Sequence, residues 1–580
     1  MAPGSVLRDI GRAMPEGSKD KRAPRDPYFS HWADIAALRT LEAAGEGECV
    51  TVAAGITPSG IIHVGNFREI ITVDLVARAL RDQGVEVRFI YSWDDFDVFR
   101  KVPAGIPQPE MLEENLRRSV ADVPDPYGEH DSYASHFIAQ LEQSIRPLGI
   151  EPQFIRQSRR YRAGDYAQGI QRALEASTAI REILNRHRTT PLSEDWLPLA
   201  GFCAECGRDD LTFRWPGEWI VEYTCASCAH EGKVDLREGG NVKLPWRVDW
   251  PMRWAEEGVV FEPGGKDHSS AGGSFDTAKE IVAGVYGGQA PQYVACDFVR
   301  VKGRGGKISS SAGDVVTVAD CLEIYEPQML RWIFASQRPG SEFQISFDLD
   351  VIKLYEDFDR ARRLAHEAED GSKADKKRQI ARRTFELACL QSRRIEPGST
   401  PAFVPPFRGL STVLQAYDGD IDRAIAHYEE SGEIGSDVER ELCRARAGCC
   451  WSWIETYAPE DFRYRIRREP VVRELADDQR IVIARLVGLL CEQPDISEAD
   501  LVPHMKTLCE GTELTLKAVS PLVYDLLIDR DHGPKITTLL TTLGGDRAVS
   551  LLSACLDAAI STRPLMKASW GGSAPLRNSA

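Results

Sequence analysis

The stretch that decides the fold is CVTVAAGITPSGIIHVGNFREIITVDLVARALRDQGVEVRFIYSWDD, residues 49–95. Its opening, CVTVAAGI, is a short apolar run that reads as a strand. From Phe67 onward apolar residues recur at helical spacing as far as Gly84, and VEVRFIYSWDD (85–95) reads as a second strand. Strand, helix and strand make a βαβ element, which implies an α/β fold with a parallel, doubly wound sheet. In such sheets ligands sit beyond the carboxyl ends of the strands, where GITPSGIIHVGN forms the turn. Gly55 and Gly60 let the backbone approach a ligand, Pro58 stiffens the bend, and the open N–H groups of the new helix suit phosphate. His63 can donate a hydrogen bond to a phosphate oxygen. Taken alone, the turn reads equally well as a Gly-rich bend with a capping histidine.

At 580 residues the chain exceeds what one core supports, so three or four domains are expected. Hydrophobic content of 43% with 27% charged residues is that of a soluble globular protein. No apolar run is long enough to span a bilayer, the polar, basic start lacks an apolar signal core, and a cytoplasmic address is expected. The net charge of −17 argues against nucleic-acid binding as an average property. The cations are clustered, however, in FIRQSRRYR (154–162), KADKKRQIARR (373–383) and RYRIRREPVVR (463–473). Each cluster alone reads as a solvated helix face; together they make a phosphate-tracking surface plausible.

Four of the fourteen cysteines form two CxxC pairs, Cys203/Cys206 and Cys225/Cys228, separated by eighteen residues. That spacing fits a four-cysteine zinc ribbon. Four thiolates leave no position for water, so the expected Zn²⁺ is structural and holds a module too small for a core of its own.

Far downstream, VRVKGRGGKISSSAGD (299–314) joins glycine flexibility, the cations Lys302, Arg304 and Lys307, and three serine hydroxyls. That composition suits a loop closing over a triphosphate. The pair of elements is more specific than either: HVGN resembles the HIGH signature, and KISSS the KMSKS signature, of the class I aminoacyl-tRNA synthetases. SHWAD (30–34), YSWDDFDVFRKVP (91–103), WRVDWPMRW (246–254) and GKDHSSAGGSFDTAKEI (265–281) narrow the resemblance to class I lysine–tRNA ligases. The matching segments cover most of residues 30–320 in order.

The resemblance implies a Rossmann-like nucleotide-binding domain, ATP with Mg²⁺ and L-lysine as substrates and tRNA(Lys) as partner; the sequence leaves the oligomeric state open, with a monomer favoured. ATP would be met by Pro58, Gly60, His63, Gly65, Asn66, Lys307, Ser309, Ser310 and Ser311, with His63, Asn66 and Lys307 stabilising the phosphoryl transfer. Gly55 and Thr57 match positions lining the amino-acid pocket. The lysine ammonium needs a carboxylate or a ring face, for which Asp95, Asp97, Asp249, Trp246 and Trp250 are the candidates. Asp267 and His268 are expected near the amino-acid carboxylate or the ribose. The sequence departs from KMSKS at Ser310, and a lysine that some relatives carry after the serines is Ala312 here; Lys302 or Arg304 would compensate.

The expected organisation is the first half of the catalytic domain at 1–100, an insertion with the zinc ribbon at 101–245, and the second half with its loop at 246–350. An all-helical anticodon-binding region at 351–570 and a disordered tail at 571–580 follow. Arg159, Arg160 and Tyr161 are expected to face the acceptor end of a tRNA. Two alternatives stand beside the lysine reading: a glutamate- or glutamine-specific synthetase of the same subclass, and a synthetase-derived RNA-binding or regulatory protein with weak catalysis.

Overall fold

The chain lays down β1 (Cys49–Ile56), β2 (Glu86–Trp93) and β3 (Gln153–Arg156), detours through five short strands, and returns with β9 (Val259–Gly265) and β10 (Gln292–Cys296). The detour holds β4 (Ala200–Gly201), β5 (Leu211–Gly217), β6 (Ile220–Cys225), β7 (Glu231–Asp235) and β8 (Val242–Lys243). The computed structural model describes residues 31–45, 49–266, 268–269, 272–302 and 315–556.

The five longer-range strands form one sheet in the order β10-β9-β1-β2-β3, with every neighbouring pair parallel. The chain winds outward from β1 to β3 and then crosses to the other side of β1, so the switch point lies between β1 and β9. β3 falls inside the segment expected to be an insertion. The sheet therefore takes a strand from that segment, and the detour proper begins after Arg156.

Val50, Val52, Ala53 and Ala54 of β1 are all buried, as a parallel strand covered on both faces requires. β1 and β2 run in register from Cys49 opposite Glu86 to Ile56 opposite Trp93. Near the end of that ladder a Cβ on Gly55 would lie 2.8 Å from the Ser92 carbonyl oxygen, so only glycine allows so close an approach.

Three helices position the site: α1 (Trp32–Ala44), α2 (Val64–Asp82) and α3 (Trp246–Glu257). α2 opens with a reciprocal cap, in which His63 Nδ1 accepts the Asn66 N–H at 3.2 Å and Asn66 Oδ1 accepts the His63 N–H at 3.2 Å. Beyond its end Gly84 takes φ 81° and turns the chain into β2.

One apolar core runs from Ala33 to Ala458 and fuses α1, α2 and one side of the sheet with the first helices of the C-terminal half. A second packs α3 and the segment after β3 against the other side of the sheet. A third, from Tyr464 to Cys555, belongs to the last helices alone. Among the described residues every regular element from Asp350 onward is helical, as the sequence periodicity indicates. Among the described residues no helix is long and apolar enough to cross a membrane.

Candidate active site and metal centre

At the switch point, Gly55, Thr57, Ser59, Gly60, Asn66 and His268 line a cavity of about 400 Å³, together with Glu69, Asp97 and Trp246. The turn and the start of α2 are thus brought to one opening, as the spacing of the motif predicts. Because His63 Nδ1 is an acceptor in the cap, the ring carries its hydrogen on Nε2, the tautomer that can donate to a phosphate. A Cβ on Gly65 would stand 2.9 Å from the His63 ring, so this glycine lets the imidazole fold over the helix start. Pro58 completes the bend and is buried.

The three carboxylates expected to meet a substrate ammonium are each engaged by the chain itself. Asp95 is fully buried and accepts from Arg156 Nε at 2.7 Å, Ser158 Oγ at 2.6 Å and Ser158 N at 2.8 Å. Asp97 accepts from Lys243 Nζ at 2.6 Å and from the Thr57 hydroxyl at 2.7 Å. Asp249 accepts from the Tyr161 hydroxyl and pairs with Arg253 at 3.2 Å. Acidic groups clustered at a strand end need a cation; here Arg156, Lys243 and Arg253 provide it, the last also binding Asp94 at 2.6 Å.

Two carboxyl groups that the sequence reading passed over occupy the adjoining recess. Glu69 and Glu262 line it with Gly55, Trp246, Trp250, Trp254 and His268. Burial pushes the Glu69 carboxyl up to about 8, with the charge of Glu262 adding and the Gly265 N–H opposing. Burial raises Glu262 to about 7 against the hydrogen bond that Trp254 Nε1 donates to it at 2.5 Å. Trp246 and Trp250 stack at 5.1 Å between ring centroids, and Trp250 meets Trp254 at 4.7 Å. The result is an indole-walled recess in which burial favours the protonated form of both acids, with Arg253, which also lines it, partly offsetting this at Glu262. The available signals were Glu262 inside an otherwise apolar parallel strand and Glu69 one turn beyond Asn66.

The cysteine spacing closes as expected. Cys203 and Cys228 sulfurs lie 3.6 Å apart, as do those of Cys206 and Cys225, and all four fall within 4.8 Å of one another. A tetrahedral zinc thiolate with Zn–S near 2.3 Å sets its sulfurs about 3.8 Å apart, so the donor set fits Zn²⁺. β5, β6 and β7 form the attached antiparallel sheet, whose own core is little more than Cys203, Tyr223 and Cys225. A metal supplies what that core lacks. A second group able to hold a metal ion, unanticipated from sequence, comprises Glu129, His130 and His136, with Asp125 Oδ2 3.4 Å from His136 Nδ1.

Lys307, Ser309, Ser310, Ser311, Arg304, Ala312 and Asp267 lie outside the described residues. Lys302, the other proposed compensating cation, pairs with Asp348 and Asp350. Much of the clustered basic charge also serves the fold. Arg160 pairs with Asp165, Arg378 with Glu367, and Arg383 with Asp34 and Asp82. In the third cluster Arg467 and Arg473 pair with Asp525, and Arg465 and Arg468, each 3.8 Å from Asp418, are 87% and 91% exposed. Tyr161 is buried against Asp249, and Arg159 is exposed.

A doubly wound sheet with a histidine-capped helix opening onto its switch point is the build of a class I aminoacyl-tRNA synthetase core. Residues 30–391 match the family model for tRNA synthetases class I (K). Over 527 residues the chain is 40% identical to the lysine–tRNA ligase of Borrelia garinii subsp. bavariensis, spanning 90% of this chain and 99% of that one. It is 41% identical to the lysine–tRNA ligase of Borreliella burgdorferi over the same shares, and 39% identical to that of Pyrococcus furiosus over 90% of this chain and 99% of the relative. The chain belongs to the class I lysine–tRNA synthetase family.

Proposed function

We propose that the protein attaches L-lysine to tRNA(Lys) through an enzyme-bound lysyl-adenylate, converting ATP to AMP and diphosphate. The observation that carries the substrate is the indole-walled recess floored by Glu69 and Glu262, beside the turn that faces ATP. A lysine side chain entering it brings a cation to two buried carboxyls, of which only Glu262 feels the charge of Arg253, and the stacked indoles of Trp246 and Trp250 offer ring faces to the ammonium. A glutamate substrate would place a third carboxylate against the same two acids.

The lysine carboxylate attacks the α-phosphorus of ATP, and negative charge builds on the phosphoryl oxygens and the departing diphosphate. The protein's part is positioning and electrostatics. Gly55 and Gly60 admit the substrates close to the backbone, the Nε2–H of His63 and the amide of Asn66 donate to the nucleotide, and Lys307 with Ser309, Ser310 and Ser311 meets the β- and γ-phosphates. ATP enters as its Mg²⁺ complex, the metal neutralising phosphate charge. A terminal ribose hydroxyl of the tRNA then takes the lysyl group. The setting is the cytoplasm, where translation consumes the product.

Lysine-dependent ATP–pyrophosphate exchange, with and without tRNA and against glutamate, glutamine and arginine, tests this reading. Exchange with lysine alone is the expected result; exchange with glutamate in its place overturns it.

A further inference from the structure

Lys243 is a lysine whose ammonium lies beside the amino-acid cavity of a protein read above as binding lysine. It sits on β8, which leaves the cysteine module and pairs antiparallel with β4. The side chain is buried, and its Nζ donates to the Phe96 carbonyl at 3.1 Å and to Asp97 Oδ1 at 2.6 Å. The other Asp97 oxygen accepts the Thr57 hydroxyl at 2.7 Å. Thr57 and Asp97 both line the switch-point cavity with Gly55 and Asn66. The three side chains form a relay from the return strand of the cysteine module to the turn that holds the substrates.

We propose that Lys243 is a positioning residue that fixes, through Asp97, the hydrogen-bond polarity of the Thr57 hydroxyl, and so favours an ammonium over a carboxylate in the amino-acid cavity. The proposal rests on the lysine-ligase reading and deepens it. An ionised carboxylate has no hydrogen to give. Once Asp97 is charged, the single hydroxyl hydrogen of Thr57 is committed to it, and Oγ1 presents only lone pairs to the cavity. Lone pairs receive an N–H of the α-ammonium of a substrate whose side chain points to the recess of Glu69 and Glu262, and repel a carboxylate oxygen. Were Asp97 protonated, its O–H could donate to Thr57, whose hydroxyl would be released to donate into the cavity instead.

The charges around Asp97 keep it ionised. Burial raises its carboxyl, but the charge and hydrogen bond of Lys243, the bond from Thr57 and the charge of Arg253 outweigh this, and it stays below the usual carboxylate range. Lys243 and Arg253 are the cations facing the group; Asp94 at the end of β2 and Asp249 on α3 are the neighbouring acids. Arg253 is shared between Asp94 and Asp249, which leaves Lys243 as the cation in direct contact with Asp97 among the described residues. Its reach to Asp97 depends on β8, 146 residues along the chain.

The test measures lysine KM and kcat of the full-length protein at saturating ATP and tRNA for Lys243→Met, Lys243→Arg, Thr57→Val and the double variant Lys243→Met/Thr57→Val. Lys243→Met is expected to raise lysine KM about tenfold, the scale of one lost charge-assisted hydrogen bond, with kcat and ATP KM within about twofold. Lys243→Arg restores most of the affinity. The double variant is expected to be no worse than Thr57→Val, since both act on one hydroxyl. The lysine KM of Lys243→Met should also worsen more steeply than that of the wild type as pH falls from about 7 to about 5, where an Asp97 freed of its cation protonates.

Additive losses in the double variant, a fall in kcat with lysine KM unchanged, or no new pH dependence overturns the proposal. If Lys243→Met fails to fold, Lys243→Gln keeps a donor without the charge and must reproduce the same KM and pH signature. A wild type that does not activate lysine sinks the lysine-ligase reading; one that does, beside variants of unchanged KM, sinks only the role of Lys243.

Discussion

Arg331 and Asp74 meet at 2.6 Å with the arginine side chain wholly out of solvent, and the same guanidinium donates to the carbonyls of Leu148, Leu387 and Ala388. One side chain thereby joins α2, the end of the helix before β3, and the start of the helical half. Removing Arg331 leaves Asp74 still paired with Arg78 at 2.9 Å but strands the three buried carbonyls, at about 1–3 kcal/mol. Arg331→Met is expected to lose roughly that much stability in denaturant unfolding followed by circular dichroism. Lysine and ATP KM of the fraction that stays folded should be unchanged, because Arg331 does not line the cavity.

Glu69→Gln keeps the shape of the recess and removes one of its acids. If the ε-ammonium is answered there, lysine KM should rise roughly 30- to 150-fold, equivalent to about 2–3 kcal/mol, with ATP KM nearly unaffected. Steady-state kinetics with each substrate varied in turn would decide it, and an unchanged lysine KM would place the ammonium elsewhere.

The raised carboxyl of Glu69 gives lysine binding a direction in pH. The free protein holds Glu69 largely protonated below about 8, and a bound ammonium favours the ionised form. Binding at neutral pH therefore releases a proton, and lysine affinity should strengthen as pH rises from about 6 to about 8. Calorimetric titration in buffers of different ionisation enthalpy counts that proton, and Glu69→Gln should reduce the count. The stability sign is opposite to that of a salt-bridged acid. A carboxyl raised on folding opposes ionisation, so its contribution falls as pH climbs above the unfolded value near 4.5 and stops changing once both states are ionised.

Cys206→Ser should lower bound zinc by about one equivalent per chain, measured by plasma emission spectrometry against protein concentration. Since the ribbon has almost no apolar core, strands β5 to β7 should also lose amide-exchange protection, while β1 and β2 keep theirs.

How far the sequence carried the fold is clearest in α2 and its flanks. The helical period, the cap at His63 and the stop at Gly84 are local signals, and each appears where the pattern puts it. The two CxxC pairs are equally local. The recess was harder because its chemistry is settled by partners far apart in the chain. Asp95 is answered from Arg156, 61 residues on, and Asp97 from Lys243; no periodicity announces such pairs. Glu262 lies in a strand whose neighbours are apolar, so its facing depended on knowing what covers that side of the sheet. The four residues of β3 are too few to stand out from the segment around them.

The cap on α2 ties the readiness of the site to the completion of the helix. His63 Nδ1 accepts the Asn66 N–H only once the first turn has formed, and a nitrogen that accepts cannot also carry the hydrogen. An incompletely folded α2 would leave the imidazole undecided between its two tautomers, and acid strong enough to protonate it would break the cap in the same event. Under the proposed function, a molecule that has not finished folding here has no fixed donor to offer ATP, so readiness to bind the nucleotide arrives together with the helix.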